Sequence, residues 1–225
     1  MEGKPARLKI LIADDHEVVL RGIAGMLAQV DEFDVCGEAT DGREALHLAE
    51  KLQPDVALLD ISMPELNGID ATRQIRRVAP KTRVIIFTMH DAERLVHEVF
   101  QAGAFGYVLK SDVGTHLLAA IRTVGEGRHY FSSKVSEMVF EGYLRGGGAE
   151  GSARTDHPEE TRLTTRERET VQLLAEGKSN KEVAATLGIS VKTAETHRAA
   201  IMRKLGLGSV SDLVRYAIRN RIIEA

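Results

Sequence analysis

Short apolar runs alternate along the first half of the chain with longer segments whose apolar residues recur every three or four positions. The runs Leu8–Ala13, Phe33–Ala39, Val56–Leu59, Val84–Phe87 and Gly106–Leu109 have the length and content of buried strands. Between them, Val18–Gln29, Glu44–Leu52, Ala71–Val78, Ala92–Ala102 and Gly114–Val124 have helical periodicity. Strand followed by helix, repeated five times, predicts an α/β fold: a doubly wound, five-stranded parallel sheet with helices on both faces. Asp41 and Glu44 have the spacing of a capping box at the start of the second helix.

The pattern changes after Gly127. Ser132–Leu144 predicts one more helix, and the following GGGAEGSARTDHPEE has the glycine, small polar residues and proline of a linker. From Leu163 onward no strand-like run occurs. Capping pairs come in quick succession there: Thr164 with Glu167, Ser179 with Glu182, and Ser209 with Asp212. The expected division is a sheet domain over 7–125, a helix and flexible linker over 126–160, and a small all-α domain over 161–225. Within the last, Ser179–Leu205 reads as a capped short helix, a turn holding Gly188 and Ile189, and a second helix capped by Ser190, which is helix-turn-helix order. In the second helix Ala194, Ile201 and Leu205 share one stripe, while Lys192, Glu195, Thr196, Ala199 and Arg203 project from the other side.

Composition narrows the options. The single cysteine, Cys36, excludes a disulfide framework and a thiolate zinc site. No apolar stretch is long enough to span a membrane and no signal peptide is evident, so a soluble cytoplasmic protein is expected. Residues 1–130 hold 15 Lys+Arg against 20 Asp+Glu, whereas 161–225 hold 12 against 7. An excess of basic residues on a helix-turn-helix suits a polyanionic partner such as double-stranded DNA, although a solvated helical surface would show it too.

In an open parallel sheet, ligands gather at the C-terminal ends of the strands. Asp14 and Asp15 follow the first strand, Asp60 the third, Thr88 closes the fourth and Lys110 follows the fifth. Carboxylates converging on one edge repel one another unless a cation joins them. Oxygen ligands without thiol or imidazole point to Mg²⁺. A carboxylate beside such an ion is a plausible phosphoryl acceptor, since that chemistry consists mainly of positioning and charge neutralisation. Asp60 is the expected acceptor, with the Lys110 ammonium and the Thr88 hydroxyl contacting the phosphoryl oxygens.

These residues carry a resemblance. ADDH at 13–16, LLDISMPELNGID at 58–70, Thr88 and GYVLK at 106–110 are similar to the receiver domain of response regulators. The resemblance implies the flavodoxin-like fold and aspartyl-phosphate chemistry. It implies a metal held by Asp15, Asp60 and the backbone carbonyl of Ser62, with Asp14 assisting, and it makes Tyr107 the switch aromatic that rotates inward as Thr88 moves toward the phosphoryl group. Two positions depart from the usual pattern: Met89 follows Thr88 where many receivers carry a small residue, and Ser111 follows Lys110 where many carry proline. Hindered access to the phosphoryl group and an altered loop are expected in turn.

The second resemblance lies in LTTRERETVQLLAEGKSNKEVAATLGISVKTAETHRAAIMRKL, which is similar to the LuxR-type helix-turn-helix; with the receiver ahead of it, the chain resembles the NarL/FixJ family. By that resemblance Glu195, Thr196 and Ala199 face bases, and Lys192, Thr193, Arg198 and Arg203 lie nearer the phosphates. Ser179, Asn180 and Lys181, at the start of the preceding helix, also sit near backbone phosphate. Glu195 is acidic and able to accept from a cytosine amino group, with base preference left open. Ala194 stands where the family usually has valine, and slightly looser packing is expected behind it. His197 is read as structural, and the last helix, Val210–Ile223, as domain packing with a dimer contact added by the family.

The sequence therefore describes a transcription regulator that takes a phosphoryl group from a sensor histidine kinase onto Asp60, performs chemistry only upon itself, and thereby frees or dimerises a DNA reader. Two other classes share some of these features. A Mg²⁺-dependent phosphoaspartyl phosphatase would need a substrate-closing cap domain, which the sequence does not provide. A protein-binding scaffold would use the receiver without contacting DNA.

Overall fold

A computed structural model describes residues 7–90, 92–132, 135–137 and 163–224. They form two compact units, one built on a sheet and one on four helices.

In the first unit the elements are β1 (Leu8–Ala13), α1 (Glu17–Leu27), β2 (Phe33–Ala39), α2 (Gly42–Leu52), β3 (Val56–Leu59), α3 (Gly68–Val78), β4 (Arg83–Thr88), α4 (Glu93–Ala102), β5 (Gly106–Leu109), a 3₁₀ turn (Lys110–Asp112), α5 (Val113–Gly125) and β6 (Tyr130–Phe131). The sheet order is β2-β1-β3-β4-β5-β6, all parallel. The α/β doubly wound architecture is as the alternating pattern predicts, with one correction: the sheet has six strands rather than five. β6 is two residues long and pairs Gly106 with Tyr130 and Tyr107 with Phe131. A segment that short has no periodicity to read, and its extended form comes from the edge of β5. Phe131 also packs against Phe100 of α4, the rings tilted with centroids 4.6 Å apart.

Alternation along each strand divides the core. Ile10, Ile12, Leu58, Ile85, Phe87 and Val108 meet Leu20, Ile23 and Leu27 of α1 and Leu117, Ile121 and Val124 of α5. Leu11, Ala57, Leu59, Ile86 and Tyr107 are buried on the opposite face. Registers Ala13↔Leu59 and Thr88↔Leu109 bring the strand ends level, so the residues that follow them emerge along one edge.

Helix starts follow the side chains expected to cap them. Asp41 accepts from the amides of Arg43 and Glu44, while Glu44 reaches back to the Thr40 amide at 3.0 Å. Asn67 accepts from the Asp70 amide at 2.9 Å and donates to the Asp70 carboxylate at 3.0 Å, which pins the loop between β3 and α3.

The second unit holds α6 (Thr165–Ala175), α7 (Asn180–Leu187), α8 (Val191–Lys204) and α9 (Val210–Arg219). Full capping boxes start α6 at Thr164 and α7 at Ser179, and Ser190 and Ser209 cap α8 and α9. Gly188 ends α7 in the left-handed conformation (φ 64°), where a side chain would be strained, and this is the turn of the helix-turn-helix. Val171, Leu174, Val183, Leu187, Ala194, Ile201, Leu213 and Ala217 form the core. α9 ends at Arg219, short of the expected Ile223, because Arg221 turns to positive φ (51°). Most of the expected helix Ser132–Leu144 and the whole 145–160 linker lie outside the described residues.

Candidate functional site

The sheet edge brings the acidic residues together. Asp14 is 1% exposed and Asp60 4%, and the Asp60 amide donates to the Ala13 carbonyl at 2.9 Å, so the two carboxylates leave neighbouring strands side by side. Lys110 Nζ lies 2.6 Å from Asp14 Oδ2 and 2.9 Å from Asp60 Oδ2. The other Asp60 oxygen accepts from the Ile61 amide at 2.8 Å, so the carboxylate is held at both ends. Burial alone would lower the Lys110 pKa, but the attraction of the Asp14 and Asp60 carboxylates outweighs it and holds the ammonium above the usual lysine range.

His16 belongs to this edge as well, and no spacing signal marks it in the sequence. Its amide donates to Asp14 Oδ1 at 3.0 Å, and its Nδ1 lies 2.8 Å from Asp15 Oδ1 and 3.3 Å from Asp14 Oδ1. Ligand atoms of Asp14, Asp15 and His16 all fall within 4.8 Å of one another. Asp14 Oδ2 is buried and, despite the nearby ammonium, accepts no hydrogen bond of good direction. A buried carboxylate oxygen with only a point charge beside it, in an oxygen-rich set, fits a hard divalent cation such as Mg²⁺.

Thr88 is fully buried at the end of β4, and its Oγ1 lies 3.4 Å from the His90 amide. Tyr107 is fully buried too, within the run expected to be a buried strand, and its hydroxyl donates to the His90 carbonyl at 2.7 Å. The His90 ring reaches Ser62, Nε2 to Oγ 3.2 Å. One loop residue, which the sequence does not single out, thus contacts the loop after β3, the end of β4 and Tyr107 within β5. Met89 is 70% exposed. The Lys110–Ser111 bond is trans and the chain enters the 3₁₀ turn directly.

Gly68 was also silent in the sequence except as part of a motif. A Cβ there would lie 2.0 Å from the Asp60 carbonyl oxygen, so only glycine lets α3 start this close to the acidic loop.

In the second unit Ala194 and Ile201 face the core and Leu205 is half-buried, while Lys192, Thr193, Glu195, Thr196, Ala199 and Arg203 of α8 are exposed and Arg198 is partly exposed. Ser179 and Lys181 are exposed at the start of α7, and Asn180 is partly covered with a buried side-chain oxygen that lacks a hydrogen bond. Several cations of this unit are paired with carboxylates. Lys204 pairs with Glu167 at 2.8 Å, Arg166 with Glu169 at 3.0 Å and Arg215 with Asp212 at 2.6 Å. Lys181, Lys192, Arg198 and Arg203 have no ion-pair partner among the described residues. His197 is half-buried beside the apolar stripe.

Known proteins share both units. The family described as response regulator receiver domain matches residues 10–122, and the family of bacterial regulatory proteins of the LuxR type matches residues 161–217. The oxygen regulatory protein NreC of Staphylococcus aureus is 39% identical over 96% of this chain and 100% of its own length. The transcriptional regulatory protein MctR of Rhizobium johnstonii is 37% identical over 96% of each chain. The RcsB response regulator of Salmonella typhimurium has a solved structure, 29% identical, that aligns with a TM-score of 0.57 over 94% of this chain and 98% of that one; RcsB has also been solved bound to DNA. With a receiver ahead of a LuxR-type helix-turn-helix along nearly the whole of such relatives, the chain belongs to the NarL/FixJ family of DNA-binding two-component response regulators.

Proposed function

We propose that the chain is switched by transfer of a phosphoryl group from a partner histidine kinase to Asp60, and that the switch governs binding of α8 and the start of α7 to double-stranded DNA. The observation that carries the reading is Lys110 bridging Asp14 and Asp60 at the strand-end edge. Asp15, Asp60 and the Ser62 carbonyl would hold Mg²⁺ with Asp14 assisting, and the ion would supply neutralisation of charge on the equatorial oxygens.

The residues of the chain do the rest. An Asp60 carboxylate oxygen attacks phosphorus in line, the P–N bond to the kinase histidine breaks, and its electron pair returns to the imidazole. Lys110 follows the incoming charge from Asp60 Oδ2 to a phosphoryl oxygen, and the Thr88 hydroxyl moves from the His90 amide to another. Tyr107, tied to the His90 carbonyl, registers that movement on β5.

In the DNA unit Glu195, Thr196 and Ala199 face bases, while Lys192, Thr193, Arg198, Arg203, Ser179, Asn180 and Lys181 address the backbone. The phosphorylated chain acts as a homodimer in the cytoplasm, where kinase and DNA meet it; RcsB dimers bound to DNA support that arrangement. The receiver chemistry is confined to the protein's own aspartate and turns over no separate substrate.

The test is phosphotransfer from an autophosphorylated kinase followed by DNA footprinting. Wild type should take up acid-labile, hydroxylamine-sensitive phosphate and protect defined sites, and Asp60→Asn should do neither. Equal footprints from Asp60→Asn and phosphorylated wild type would end the proposal.

A further inference from the structure

We infer that the exposed face of α8 selects a cytosine through Glu195, with a thymine one or two base pairs away read by the Ala199 methyl group. The inference rests on the proposed DNA-reading role of this helix and names the bases it prefers.

The outward stripe runs Lys192, Glu195, Ala199, Arg203, all exposed and spaced by three or four residues so that they share one side of the helix. Glu195 lies at its centre, one turn from Lys192 and from Arg198. Even so, its carboxylate has no hydrogen bond and no ion pair among the described residues, unlike Glu167, Glu169 and Asp212 elsewhere in the unit. An unpaired carboxylate facing DNA loses affinity against phosphate, and the loss is offset only where it meets a base donor.

Thr196 adds a second constraint. Its hydroxyl donates to the Lys192 carbonyl at 2.9 Å, so its donor is used within the helix and it offers DNA only lone pairs and a methyl group. The centre of the reading surface is therefore acceptors and methyls without a donor, the donors being Lys192 and Arg203 at its ends.

The major groove shows which base satisfies that surface. Guanine presents two acceptors, O6 and N7, which would face the carboxylate, and thymine presents the acceptor O4. Adenine offers its amino group beside the acceptor N7. Cytosine offers its N4 amino group with no neighbouring acceptor on the same base, so it is the best partner for Glu195. Ala199 lies one turn on, about 6 Å along the axis, which corresponds to one or two base-pair rises of about 3.4 Å. A methyl side chain there matches the C5-methyl of thymine.

Selection from a random duplex library, using the full chain with Mg²⁺ and beryllofluoride, tests the assignment. Wild type should enrich a site containing C and T within two base pairs, and changing that C·G pair to G·C should weaken binding about tenfold. Glu195→Ala should lose the cytosine preference while binding unrelated duplex more tightly, because repulsion from the backbone is removed. Glu195→Gln should move the preference toward adenine, which a glutamine amide meets at N6 and N7. If wild type enriches a site and Glu195→Ala enriches it with the same cytosine weight, the assignment to Glu195 is overturned while DNA reading stands. If wild type enriches nothing, both fall.

Discussion

The hydroxyl of Tyr107 donates to the backbone carbonyl of His90 at 2.7 Å, with the Tyr107 side chain fully buried. A strand aromatic is thereby fastened to the loop that follows Thr88, and His90 is in turn within 3.2 Å of Ser62 beyond Asp60. Hydrogen bonds thus link the loop after β3, the loop after β4 and the strand β5.

Tyr107→Phe keeps the ring and removes this bond. The His90 carbonyl then loses this donor, and the receiver unit should lose about 1 kcal/mol in urea unfolding. The ratio of DNA affinities with and without beryllofluoride should fall toward one. An unchanged ratio would detach the tyrosine hydroxyl from the switch.

Lys110→Met leaves the Asp14 and Asp60 carboxylates facing each other without their shared cation. Removing one partner of a buried pair should cost about 3 kcal/mol at neutral pH, and added Mg²⁺ should restore more stability to the variant than to wild type. Phosphotransfer to Asp60 should slow sharply. The pH dependence follows from the raised Lys110 pKa: the contribution is full below the ordinary lysine value of 10.5 and fades as pH climbs through the higher folded value. Wild type should therefore converge on the variant in strongly alkaline buffer, read by circular dichroism melts across that range.

Gly68→Ala introduces a methyl group 2.0 Å from the Asp60 carbonyl oxygen. Backbone must shift, and the substitution should destabilise by roughly 1–3 kcal/mol while lowering the rate of phosphotransfer. Gly114→Ala is the control, since a Cβ at that position of α5 meets nothing within 4 Å; it should stabilise by about 0.5–1 kcal/mol. Equal effects at the two positions would show that close approach to Asp60 is not what requires glycine at 68.

Glu167 closes the capping box of α6 by accepting from the Thr164 amide, and pairs with Lys204 of α8 at 2.8 Å. Burial pushes its carboxyl upward, but the Lys204 and Thr164 hydrogen bonds win and the folded pKa lies below the ordinary 4.5. Its contribution is present above pH 4.5 and lost as pH falls through the depressed folded value. Glu167→Gln should cost about 1 kcal/mol near pH 7 and almost nothing near pH 3, measured by hydrogen exchange of amides in residues 163–224.

How far the primary structure could be read depended on whether a feature repeats within one element. The strand runs and helix periods of the receiver were legible because each is enforced locally, residue by residue, by which face must be dry. Capping by Asp41, Thr164, Ser179, Ser190 and Ser209 was legible for the same reason, as its partners lie within three residues. β6 was not, because two residues become a strand only when β5 offers an unpaired edge. The Tyr107–His90 bond and the part played by His90 were equally hidden, since both depend on loops from separate strands arriving together.

Local pattern by itself determined an alternating sheet-and-helix receiver, an all-helical C-terminal unit with one stripe of α8 turned outward, and the acidic residues at the strand ends. Tertiary structure alone decided that Lys110 would sit between Asp14 and Asp60, that a Cβ at position 68 would meet the Asp60 carbonyl, and that Lys192, Arg198 and Arg203 of α8 would lack an ion-pair partner among the described residues while Lys204 and Arg166 found carboxylates. The physical reason is range: hydrophobic periodicity and capping act over a few residues of one element. Distances of two or three ångströms between residues fifty positions apart are set only when the strands register and the helices close over them.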